Sequence, residues 1–174
     1  MQKLKKLKFQ LINELKPQKF KKILDLGCGE GKLSLSIANT DSLITGIDKT
    51  PKIIQDKRFK HVNKDLLNFK FNEKYDLIIV SLVLHYLEKL SAKRLLIDCF
   101  KNLNKEGILF LICLSKKDYL YNQNKSNGFF SINETQNLIK SKPRIIKEFK
   151  TSMEKHKDNK LYHKHSGIFA IFQK

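Results

Sequence analysis

The sequence predicts an α/β chain, a Rossmann-like three-layer sandwich around a seven-stranded, mostly parallel sheet with one antiparallel edge strand. Three observations predict it. Short apolar runs alternate with helix-forming stretches along most of the chain. The first run, Ile23-Leu24-Asp25-Leu26, passes straight into Gly27-Cys28-Gly29-Glu30-Gly31 and then a helical segment. The last two apolar runs have no strong helical stretch between them, which asks for a terminal hairpin and an antiparallel strand at one edge.

Taken in order, strands are expected near 22–26, 43–48, 60–64, 75–81, 107–114, 144–151 and 167–172, most of them apolar runs bounded by polar residues or glycine. Helices are expected near 2–15, 31–39, 51–57, 91–102 and 132–140. Residues 1–16 form an amphipathic segment, with Leu4, Leu7, Leu11, Ile12 and Leu15 on one face and Lys3, Lys5, Lys6 and Lys8 opposite. That helix reads as part of a lid over a pocket, with a membrane-surface helix as the other reading. Pro51 suits the first turn of the 51–57 helix, and Ser131-Ile132-Asn133-Glu134 is a capping box for the last. The 174 residues suit a single domain, 1–174, large enough to bury about 68–70% of its unfolded surface.

The chemistry concentrates at residues 23–31. Glycines at a strand-to-helix turn tolerate positive φ and let a ligand approach the backbone closely, and the helix that follows adds free N–H groups and a positive dipole end. The dinucleotide fingerprint G-x-G-x-x-G is not met, because Lys32 holds the place of its last glycine, and no G-x-x-x-x-G-K-[ST] phosphate loop exists. Asp25 sets a carboxylate beside the turn, unfavourable for a pyrophosphate and favourable for an ammonium group. Asp48 lies 21 residues beyond Gly27, close to the spacing of a ribose-binding acid, although it could equally cap a helix before Lys49-Thr50-Pro51. Asp65 could likewise cap the turn that follows it.

Asp25-Leu26-Gly27-Cys28-Gly29-Glu30-Gly31 resembles the first motif, D/E-x-G-x-G-x-G, of class I S-adenosylmethionine-dependent methyltransferases. Gly46-Ile47-Asp48, Asn63-Lys64-Asp65-Leu66, the run Tyr75 to Tyr86 and Leu103 to Leu109 resemble that family's later motifs in the right order, with Lys105 and Glu106 replacing the usual Pro and first Gly. The resemblance implies S-adenosylmethionine as cofactor. Asp25, Gly27, Cys28, Gly29 and Gly31 would surround its methionine portion, Asp48 and Lys49 its ribose, Asp65 and Leu66 its adenine, with Ser81 at the end of the fourth strand. The resemblance extends weakly to the small tellurite-resistance-type subgroup through the closing hairpin, where His156, His163 and His165 cluster. A polar turn is the commoner reading of those histidines, and no metal is assigned.

Net charge +18 would attract polyanions, so RNA is a possible partner. Against it, all but three of the 35 basic residues are lysines scattered along the chain, whereas base recognition favours arginine. No Asn/Asp-Pro-Pro-aromatic turn follows the fourth strand; Ser81-Leu82-Val83-Leu84-His85 stands there, which weakens exocyclic amine methylation of nucleic acid. The three cysteines lack metal spacing and suit a reducing, cytoplasmic setting, and no apolar run is long enough for a membrane span. His85 is the first catalytic candidate, a base beside the expected methyl position, with turn-shaping as its structural alternative, and Tyr86 is the second. Tyr119, Tyr121, Phe129 and Phe130, in the stretch 116–130, either line an acceptor cavity or anchor the loop. The expected activity is methyl transfer to a small-molecule acceptor. An RNA methyltransferase and a non-catalytic S-adenosylmethionine-binding protein are the alternatives, and oligomeric state is left open.

Overall fold

The computed structural model describes residue 9 and residues 12–15, 18–139, 141–151, 154–155 and 162–174. Seven strands form one sheet: β1 (Lys22–Leu26), β2 (Leu43–Asp48), β3 (Phe59–Asn63), β4 (Tyr75–Ser81), β5 (Leu103–Leu114), β6 (Ile145–Lys150) and β9 (Ser166–Gln173). A two-stranded ribbon, β7 (Glu154–Lys155) with β8 (Tyr162–His163), stands apart from it. The order is β3-β2-β1-β4-β5-β9-β6, parallel through β5. β9 pairs antiparallel with both β5 and β6, so the antiparallel pairing expected at one edge is carried by a strand one place in from it.

The central strands β1, β4, β5 and β9 read as largely apolar runs because both faces of the sheet are covered, whereas the edge strands β3 and β6 carry exposed lysines. Leu24, Leu26, Ile78 and Val80 point into one core with Ala92, Leu95, Leu96 and Cys99 of α2 (Lys89–Lys101). Those four α2 positions fall on one helical face. Ile23, Leu77 and Ile79 point into the other core, with Ile37 of α1 (Lys32–Ile37) and with Leu15 and Phe20. The described part of the first helix, residues 12–15, therefore packs on the α1 side, while Leu4, Leu7 and Leu11 lie outside the described residues.

Three local expectations change. No helix forms over 51–57: that run is irregular, Ile53 is 94% exposed, and without an apolar face to bury two turns of helix do not hold. Arg58 instead pins the segment as a turn, its guanidinium 2.7 Å from Asp56 Oδ2 and 3.0 Å from Asn39 O. α3 (Ile132–Gln136) is shorter than expected and ends where Asn137 Nδ2 donates to Asn133 O at 2.9 Å; the Ser131–Glu134 capping box forms as expected. β5 begins at Leu103, with a register shift against β4. Among the described residues no helix is long and apolar enough to cross a membrane.

Candidate functional site

Parallel strands deliver their carboxyl ends to one edge, and the site is built there. The loop after β1 bends toward β2, since the N–H groups of Gly27 and Cys28 both donate to Ile47 O, at 2.8 and 3.2 Å. Gly27, Gly29 and Gly31 are all left-handed, with φ of 72°, 52° and 68°. Asp48, closing β2, ties into this loop: Oδ2 accepts from Gly29 N–H and Oδ1 from Thr50 N–H, both at 2.9 Å. The carboxylate therefore fixes the middle glycine in place and keeps further acceptor capacity on each oxygen.

A cleft of about 480 Å³ opens along this edge. Of the residues expected from sequence, Gly27, Asp48, Lys49, Asp65 and Leu66 line it, opposite Leu82, Val83, Tyr86 and Leu87. Asp25, Cys28, Gly29, Gly31 and Ser81 are not among its lining residues. Asp25 is only 2% exposed and lies beneath the loop, its Oδ2 accepting the Ser34 hydroxyl at 2.6 Å. Ser34 was invisible as a site residue, though a buried carboxylate demands a donor and a hydroxyl on the next helix is a natural one. Burial, then the charges of Asp25 and Asp48, push the Cys28 thiol up to about 12, which removes it as a nucleophile. Asp65 caps a single 3-10 turn through Leu67 N–H at 2.8 Å, as its alternative reading anticipated. Ser81 ends β4 in register with Ile112.

Beyond β4, a 3-10 turn (Leu84–Tyr86) carries His85, whose ring centre lies 4.1 Å from that of Tyr86. Its Nδ1 is buried with no hydrogen-bond partner among the described residues, and burial, opposed by the Asp118 carboxylate, lowers its pKa to about 4. His85 is thus neutral near pH 7.

The 116–130 stretch is anchored from both ends. Phe129 and Phe130 are buried, and Asn127 Nδ2 donates to His85 O at 2.8 Å. Asp118 is buried and accepts from Leu120 N–H at 3.0 Å and Ser166 N–H at 2.8 Å, with His165 Nδ1 at 3.0 Å. Burial pushes the Asp118 carboxyl up, but the His165 ring and these N–H donors outweigh it and hold it below its ordinary value. Sequence reasoning noticed His165 but not its partner, which is 47 residues away in the chain. His156 lies outside the described residues, and only the backbone of His163 is described. Among the described residues, no group of three or more His, Cys, Asp or Glu is placed to hold a metal ion.

Comparison with known proteins places this geometry in a family. The family model described as "Methyltransferase domain" matches residues 17–166. The ubiquinone biosynthesis O-methyltransferase of Pelagibacter ubique is 28% identical over 125 residues, covering 65% of this chain and 51% of that protein. The chain thus spans about half the length of the curated relatives it matches. The N-methyltransferase NodS of Bradyrhizobium japonicum superposes with a TM-score of 0.68 at 20% identity, over 97% of this chain and 95% of that one. TehB of Haemophilus influenzae does so at 0.74 and 17%, over 95% and 62%. At such identities the two structures speak for the fold. The family match, over residues 17–166, settles the kinship: this chain belongs to the methyltransferase-domain family.

Proposed function

We propose that this chain works as one domain in the cytoplasm and methylates a small-molecule acceptor, with S-adenosylmethionine held in the cleft on the carboxyl edge. The observation that carries the reading is the Asp48–Gly29 bond at the cleft. It supports a backbone surface bare of side chains beside a carboxylate able to accept ribose hydroxyls. The residues present fit the cofactor. A Cβ built on Gly29 would meet nothing within 4 Å, so a ligand can lie against that backbone. The cleft volume, about 480 Å³, falls in the usual range for small-molecule sites.

In this reading Asp48 and Lys49 hold the ribose end, and Asp65 with the apolar Leu66 receives the adenine. Asp25, buried behind the loop, favours the ammonium end by its field, while the glycine turn makes the close contact. When bound, S-adenosylmethionine supplies a methyl group on a positively charged sulfur. The chain's own residues need only orient the acceptor and exclude water, and alignment of that kind can lower a barrier by about 7–11 kcal/mol. His85 is not among the residues lining the cleft, and with its pKa lowered to about 4 it is a weak base near pH 7, so the acceptor's proton is not assigned to it. The matched relatives are named as O-methyltransferases, which makes oxygen the first acceptor atom to test.

The deciding experiment is isothermal titration with S-adenosylmethionine, followed by transfer of a labelled methyl group into pooled hydroxylated metabolites and, separately, into total RNA. Binding plus label in the small-molecule fraction is expected. Label in RNA alone would replace the acceptor class, and no binding at all would end the reading.

A further inference from the structure

Leu82 follows β4 directly, and its backbone is left-handed, φ 55°. Among the described residues only Glu106 shares that state without being glycine. A leucine is disfavoured there because its Cβ crowds the following carbonyl oxygen. Glu106 turns within β5, away from the cleft lining, where its carboxylate accepts from Gln173 Nε2 at 2.8 Å. Leu82 instead lines the cleft beside Val83.

Surrounding structure holds the turn from both sides. Leu82 N–H donates to Ile112 O at 2.8 Å, one residue past Ser81, which forms the last β4–β5 pair with Ile112. Just past it, Tyr86 N–H bonds Val83 O at 3.1 Å and Leu87 N–H bonds Leu84 O at 3.0 Å. The two side chains close the sheet edge over both cores: Leu82 packs on the α1 side and Val83 on the α2 side. Val83 also fills the space beside Gly27, where a Cβ would stand 2.6 Å from Val83 Cγ2. Backbone held in a sparsely populated region beside a ligand cleft calls for a functional account.

We infer that Leu82 is a positioning residue of the cofactor cleft: its left-handed step sets the side chain into the cleft lining, where its bulk shapes the pocket beside Val83. The inference rests on reading this cleft as the S-adenosylmethionine site. Replacing Leu82 by Ala removes the side chain and leaves the strain, whereas Gly removes both, and Met retains the bulk.

The test compares Leu82→Gly, Leu82→Ala and Leu82→Met by thermal melts without ligand and by isothermal titration with S-adenosylhomocysteine. Leu82→Gly is expected to melt about 2–4 °C above Leu82→Ala. Both should bind the probe about tenfold more weakly than the parent, with Leu82→Met within about twofold. A purely structural role would lower the melting point without moving affinity in the variant that melts normally. The inference is overturned if Ala melts at or above Gly, or if either small variant binds as tightly as the parent. A parent chain that takes up no S-adenosylhomocysteine overturns the cofactor reading as well, while the melting order still reports on the turn by itself.

Discussion

Gly27 and Gly29 lie two residues apart on one loop, both left-handed, in opposite surroundings. A Cβ at Gly27 would stand 2.8 Å from Val83 Cβ, an atom with no room to move, whereas one at Gly29 would meet nothing within 4 Å. Gly31 resembles Gly27, with Phe59 Cε2 at 2.6 Å from its missing Cβ. One motif therefore holds two kinds of glycine. The outer pair lets β1, β3 and the β4 turn approach one another, with Gly27 also lining the cleft, and the middle one faces open space. Sequence assigns all three to the ligand, because spacing reports a turn without reporting what fills the space around it.

Substitution separates the two kinds. Gly27→Ala should be the most damaging, combining a left-handed penalty of about 1–2 kcal/mol with overpacking of about 1–3 kcal/mol. A fall in thermal midpoint of roughly 5–15 °C by circular dichroism is expected, partly recovered by adding Val83→Gly. A melt unchanged from the parent would break the comparison.

Asp48→Ala comes next. It removes charge-assisted bonds worth about 1.5–3 kcal/mol, and cofactor affinity by titration should fall about 10- to 150-fold. Unchanged affinity would leave Asp48 a loop brace only. Gly29→Ala sharpens the contrast from the other side. Its midpoint should fall by only about 2–4 °C while cofactor affinity drops about tenfold or more, the reverse of the balance at Gly27.

The last contrast concerns pH. His85 has its folded pKa lowered to about 4, so between the ordinary histidine value and 4 the unfolded chain binds a proton that the folded chain refuses. Stability should fall as pH drops through that window. Melts of His85→Gln from pH 7 to 4 should decline less steeply than those of the parent; equal slopes would show that burial of the ring is not felt.

The β1 to β4 half was legible because β1, β2 and β4 are rich in apolar residues and break at a polar residue or glycine, as in Leu77 to Val80 before Ser81. The missing 51–57 helix was not legible. Pro51 and the apolar Ile53 and Ile54 suggest one, and only the tertiary structure shows that Ile53 finds nothing to pack against. Asp48 and Asp65 could be placed at the site from spacing, since each closes or follows a strand. Ser34, Leu82 and Asp118 could not, because their importance lies in a partner or a backbone angle that chain distance does not encode. The position of β9 was equally hidden: alternation reveals that a strand exists, not which neighbours it separates.

That position has a consequence for how the protein is made. Ile108 to Leu114 pair with β9 on one side, and Ile145 to Lys150 pair with it on the other. While a ribosome is still translating the 150s, β5 has no permanent neighbour on that flank and offers an open, apolar hydrogen-bonding edge. That edge stays open until Ser166 to Gln173 emerge to pair with it. A nascent chain stalled before Ser166 should be recovered in aggregates, however sound its cofactor cleft.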